Sequence, residues 1–187
     1  KRKKERVQVK AMKVIPAALV HSHRLEGQGV VRSEKKLKDT AFFADVTGED
    51  PEMVLYEVYA KTEDPCPGEL NWGLSVVHPV TVNGECAMTR GHWHENRDAA
   101  EYYWCTGGTG LLLFMDETGG AWAEEMKPGS LHHIPGRLAH RLINTGSQDL
   151  EVVCCWAADA GHDYAAVEAM PFPARCYKTK EGTIEWK

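Results

Sequence analysis

TRGHWHENRDAAEYY, residues 89–103, sets two histidines, two glutamates and two adjacent tyrosines into fifteen positions. Its middle, ENRD, has turn chemistry, and the segments on either side carry the aromatic residues of short strands. On a strand, His92 and His94 project from one face and Trp93 from the other, because side chains alternate with a period of two. Glu101 lies on the strand that folds back beside the first and can reach the same face, whereas Glu95 falls into the turn. Two imidazoles and a carboxylate arriving from neighbouring strands can meet one ion. A further ligand is suggested by KPGSLHHIPGRLAHRLINTG (127–146), where Pro-Gly turns bracket a strand and His140 follows another turn. Alone, His140 would read more readily as a hydrogen-bonded structural histidine than as a ligand.

Outward from this stretch, β-type segments recur at short intervals. MVLYEVYAK, LNWGLSVVHPVTV, GECAMTRGHWH, AEYYWCT, GLLLFMD, GAWAEEM, SLHHIP, AHRLINT and LEVVCCWAA are separated by Gly-, Pro- and Asn-rich turns. EKKLKDTAFFADV (34–46) can open with a short helix or a strand. More than seven short strands with no long amphipathic helix imply an all-β sandwich or barrel. The length, 187 residues, suits one core. The reading therefore divides the chain into an N-terminal extension, 1–33, partly tail, and a single domain, 34–187, with few peripheral helices.

A formal net charge of −5 gives no electrostatic footprint for nucleic acid. The basic KRKKER at 1–6 reads as a solvated tail and receives no function. The following segment carries Lys10, Lys13 and Pro16, which disfavours a signal peptide, and no apolar run reaches the roughly 18 residues of a membrane span. Six cysteines without C-x-x-C spacing fit reduced thiols in a cytoplasmic protein. Cys154 and Cys155, within LEVVCCW, read as small buried hydrophobes. His132 and His133 cannot both face inward and read as structural. His21 and His23 have no downstream partners for a second metal site, and His78 reads as a strand end.

Taken together, the two quoted segments resemble the cupin superfamily, jelly-roll β-barrels whose first motif holds His-x-His and a later Glu. The second motif, G-x5-P-x-G-x2-H-x3-N, is matched by Gly129, Pro135, His140 and Asn144, with Arg137 in place of its middle Gly. In the first motif Cys86 stands where a leading Gly is usual. Six residues separate His94 from Glu101, more than the common cupin spacing. That longer spacer, with YEVYA (56–60), LNWGLSVVHP (70–79), AHRLINTG (139–146) and AGHDY (160–164), is similar to the cupin-type glucose-6-phosphate isomerase family first familiar from archaea.

The resemblance implies one divalent metal ion per subunit, Fe2+ or Mn2+ before Zn2+ or Ni2+, on His92, His94, Glu101 and His140. It implies a sugar-phosphate pocket lined by Tyr56, Ser75, Thr89, Gly91, Tyr103, His162 and Tyr164, with Ser75 where threonine is usual and Trp156 where tyrosine is expected. Glu101, Tyr103 and His162 are the expected catalytic residues. The implied reaction interconverts glucose 6-phosphate and fructose 6-phosphate by cis-enediol proton transfer or a metal-assisted hydride shift. A homodimer without nucleic-acid or membrane partners is also implied. Two other cupin functions share parts of this pattern: a non-haem iron dioxygenase and a non-enzymatic sugar-binding protein.

Overall fold

The computed structural model describes residues 17–187; the KRKKER tail lies outside them. The strands are β1 (Leu19–His21), β2 (Arg24–Glu26), β3 (Val31–Lys36), β4 (Val54–Lys61), β5 (Leu70–Val77), β6 (Thr81–Val82), β7 (Glu85–Cys86), β8 (Glu101–Gly107), β9 (Gly110–Asp116), β10 (Ala121–Met126), β11 (Leu131–Ile134), β12 (Leu138–Asn144), β13 (Leu150–Ala157), β14 (Cys176–Lys178) and β15 (Ile184–Trp186). One short helix, α1 (Tyr164–Ala169), precedes β14. The all-β expectation holds: the described residues form fifteen short strands and a single short α-helix.

The largest sheet has the order β11-β8-β13-β5-β4-β3, and a three-stranded sheet has the order β10-β9-β12. Neighbouring strands are antiparallel throughout. Alternation does the sorting: in β8, Glu101, Tyr103 and Cys105 are buried while Tyr102 and Trp104 are exposed. Leu55, Val152 and Cys154 from the large sheet join Leu112, Phe114 and Leu142 from the small one in a single buried cluster. A four-stranded sheet, β15-β14-β7-β6, closes one side, and the β1–β2 hairpin is a separate two-stranded piece.

Three local expectations change. The large sheet begins at Val31, pairing β3 with β4, ahead of the boundary at 34 read from the sequence. EKKLKD is both alternatives in succession, a strand to Lys36 and one 3-10 turn over Leu37–Asp39. GECAMTRGHWH is not a continuous strand: beyond Cys86 it runs as irregular backbone tied to the free edge of β12 by isolated bridges, Met88 to Ile143 and His92 to His140. Gly91, at φ +75, breaks the pleat in a conformation that favours glycine.

Candidate metal and substrate site

The seam between the 87–92 segment and β12 places the histidines. His92 and His140 exchange backbone hydrogen bonds, both 3.2 Å, and the Thr89 amide donates to the Leu142 carbonyl at 3.0 Å. Trp93 exchanges backbone hydrogen bonds with Asp163, which brings AGHDY against the same segment. Arg97 reinforces this junction by donating to the His94 carbonyl (2.8 Å) and to the Asp163 carboxylate (2.6 Å). His162 consequently sits with its ring centroid 4.4 Å from that of His92. Glu101 arrives on β8 from the opposite sheet.

One nitrogen or oxygen from each of His92, His94, Glu101 and His140 lies within 4.8 Å of the other three. Glu101 Oε1 is 3.2 Å from His94 Nε2 and 2.5 Å from His140 Nε2. Both ring nitrogens of His140, and Nε2 of His92, are buried without a hydrogen-bond partner. When the ring is neutral, His94 Nδ1 donates to the Ala99 carbonyl at 2.9 Å and turns its Nε2 lone pair into the cluster; the 3.2 Å contact with Glu101 is a hydrogen bond only in the protonated ring. Buried nitrogens are normally hydrogen-bonded. Orphaned lone pairs converging on a carboxylate fit an ion, whose ligand atoms would each lie about 2.0–2.2 Å from it.

Burial penalises charge throughout the cluster, and the neighbours decide the outcome. Burial alone would raise Glu101, but the charge of His140 and the contacts with His140 and His94 hold it well below the usual carboxylate range. Burial lowers His92 well below the usual imidazole value, with the nearby His140 and His162 acting in the same direction. For His94, burial opposes protonation and the Glu101 hydrogen bond outweighs it, so its value rises. Burial, then the Glu101 charge, pushes the Tyr103 phenol well up.

The cluster opens onto a cavity of about 270 Å³. Every residue expected to touch substrate lines it: Tyr56, Ser75, Thr89, Gly91, Tyr103, His162 and Tyr164, beside His92 and Glu101. His94 and His140 stand behind this wall, and Glu95 is exposed. Burial pushes Tyr56 up to about 12 and lowers His162, so near neutral pH the first keeps its proton and the second is uncharged. Lys35, Arg90, Cys154 and Trp156 also line the cavity. Arg90 lay inside the opening stretch, and a search for a cation to meet a phosphate could have found it; no local pattern marks Lys35. Cys154 faces inward because its register sets it beside Tyr103 and Gly73. At Gly73 any Cβ would lie 2.4 Å from the Tyr59 carbonyl oxygen and 3.4 Å from the Trp156 ring.

The remaining histidines lie elsewhere. His132 is held by Glu124 and Ser130, and His133 stacks on Tyr102. His23 and His78 both contact Asp149, and His21 faces Glu26. Among the described residues, the His92–His94–Glu101–His140 group is the one set arranged to hold a metal.

An all-β fold enclosing three imidazoles and a carboxylate defines a protein with a donor set for a divalent metal. Residues 26–187 match the family model described as glucose-6-phosphate isomerase (GPI), and the chain belongs to that family. A protein of that name from Thermococcus litoralis is 39% identical over 124 residues, 66% of this chain and 65% of the relative, so the match falls just short of two thirds of its length. The Pyrococcus abyssi protein of the same name is 34% identical over 160 residues, 85% of this chain and 81% of the relative. Among solved structures, oxalate decarboxylase from Bacillus subtilis aligns at a TM-score of 0.45 and 21% identity, over 57% of this chain and 26% of that one.

Proposed function

We propose that the protein is a metal-dependent glucose-6-phosphate isomerase. The observation that carries this is the meeting of two features: a four-donor cluster with unpartnered nitrogens, and a cavity walled by hydroxyls and cations suited to a phosphorylated sugar. His92, His94, Glu101 and His140 would hold the ion. When bound, a divalent ion supplies Lewis-acid polarisation of the sugar's carbonyl and hydroxyl oxygens. Three imidazoles and one carboxylate accept Fe2+, Mn2+, Zn2+ or Ni2+; Fe2+ or Mn2+ is the reading adopted here.

The side chains facing the cavity then divide the work. Ser75, Thr89 and the Gly91 backbone line the region assigned to phosphate, with Arg90 supplying charge. Gly91 serves there because a Cβ would lie 2.9 Å from the Phe172 ring and 3.0 Å from Arg141 Nε. Tyr103 keeps its proton and donates to a sugar oxygen as charge develops there. His162, neutral and beside His92, takes a proton during ring opening and returns it. Glu101 is the carboxylate nearest C1 and C2 in this reading and carries the hydrogen between them on the enediol route. As a metal ligand Glu101 would be a weaker base, so direct transfer of hydrogen between C1 and C2 without exchange is the competing route.

A homodimer and a cytoplasmic setting complete the reading. Exposed Tyr102, Trp104 and Leu131 on the outer face of the large sheet support the first, and six free thiols support the second. Incubation with fructose 6-phosphate in deuterated water, followed by NMR, tests the reaction. Glucose 6-phosphate is expected, with deuterium at C2 if an enediol exchanges with solvent and without it if hydrogen transfers directly. Absence of glucose 6-phosphate overturns the reading.

A further inference from the structure

A second cavity, about 620 Å³, adjoins the first, with Arg90 and Tyr164 lining both. It lies between the Lys38–Phe42 segment and α1 with the chain that follows it. Four cations line it. Three have carboxylate partners: Lys38 with Glu52, Arg90 with Glu168, and Arg175 with Glu85. Arg141 has none among the described residues, although it is only 7% exposed.

The Arg141 guanidinium lies over the Phe172 ring at 4.3 Å and 5.5 Å from that of Phe42. Its Nη2 donates to the Arg90 carbonyl at 2.6 Å, Nη1 reaches only the Met88 sulfur, and Nε has no partner. A buried charge normally has a counter-ion, because desolvation is otherwise uncompensated. A guanidinium stays charged at neutral pH, so the need for an anion persists.

We infer that this cavity is a second ligand site, taking a small organic anion whose phosphate or carboxylate group meets Arg141 and whose apolar body packs against Phe42, Val167 and Pro171. Guanidinium pairs with either head group through charge-assisted hydrogen bonds. The volume exceeds what a bare oxyanion fills, and the apolar lining suits the remainder of an organic molecule. Arg141 does not line the substrate cavity, so the inference does not depend on the isomerase reading.

Isothermal titration of the metal-loaded protein with phenyl phosphate and with benzoate tests it, each titration being repeated under saturating fructose 6-phosphate. One probe per chain should still bind when the sugar phosphate is present, and the probe that binds identifies the head group. Ala174→Trp fills the cavity away from the substrate wall and should weaken that binding at least about tenfold, as should Arg141→Met. The inference is overturned if fructose 6-phosphate displaces both probes, if Ala174→Trp leaves binding unchanged, or if neither probe binds. A chain that binds probe but no sugar phosphate contradicts the proposed function alone.

Discussion

His140 is 1% exposed, with neither ring nitrogen hydrogen-bonded, whereas Glu95, one residue beyond His94, is exposed. The contrast predicts that His140→Ala lowers metal affinity by about 10–100-fold or more, since even indirect partners of a metal site cost that much. Glu95→Ala should leave metal content, measured by elemental analysis, nearly unchanged; equal losses would place the wrong carboxylate at the ion. Glu101 offers a pH test in the metal-free protein. Its folded value is depressed, so the stability it contributes is present above the unfolded carboxylate value of about 4.3 and is lost as pH falls through the lower folded value. Glu101→Gln should therefore destabilise the metal-free protein at neutral pH. The difference in urea unfolding should shrink progressively in strong acid. The His-x-His spacing and the later Glu were legible because chain separation and side-chain alternation constrain them directly. The directions of Lys35 and Arg90 were not, because they depend on how separate segments pack.

At the scale of elements, the seam between residues 87–92 and β12 decides the site. Reading GHWH as a strand put both imidazoles on one face. The observed segment reaches the same convergence through irregular backbone, with Gly91 turning the chain and β12 supplying hydrogen bonds. Sequence periodicity could not show this, since a bridge to a distant edge leaves no local pattern. ENRD read only as a turn, yet Arg97 within it ties the His94 backbone to Asp163 and so fixes the AGHDY loop. The second motif is more transparent. Asn144 donates to the carbonyls of Val77 (2.7 Å) and Gln148 (2.8 Å) and accepts from the Gly146 amide, pinning the turn after β12 to β5. Arg137, standing where the cupin pattern has Gly, adopts φ 64, so the turn keeps the left-handed conformation at a cost in strain. Arg137→Gly should raise stability by about 0.5–1 kcal/mol, the relief of strain exceeding the added freedom of the unfolded chain. Thermal unfolding that shows a loss instead would give more weight to the Arg137 ion pairs with Asp98 and Glu117.

For the whole molecule, two sheets converge on the cluster, so an ion there bridges the halves of the barrel: His92 and His140 belong to the seam on the small sheet and Glu101 to the large sheet. Dialysis against a chelator should lower the melting temperature, and returning a divalent ion at about 100 times its dissociation constant should restore about 2.7 kcal/mol. The barrel class was readable from recurring short strands and turns, while the start of the large sheet at Val31 was not, because β3 is an exposed, highly charged edge strand without an alternating apolar face. Isomerisation at a metal site can be measured outright. Its most direct test is formation of glucose 6-phosphate from fructose 6-phosphate by protein loaded separately with Fe2+, Mn2+, Ni2+ and Zn2+, with and without oxygen. Turnover with at least one ion, equal in air and under anaerobic conditions, is the predicted result; no product with any of the four, or turnover that requires oxygen, would contradict it.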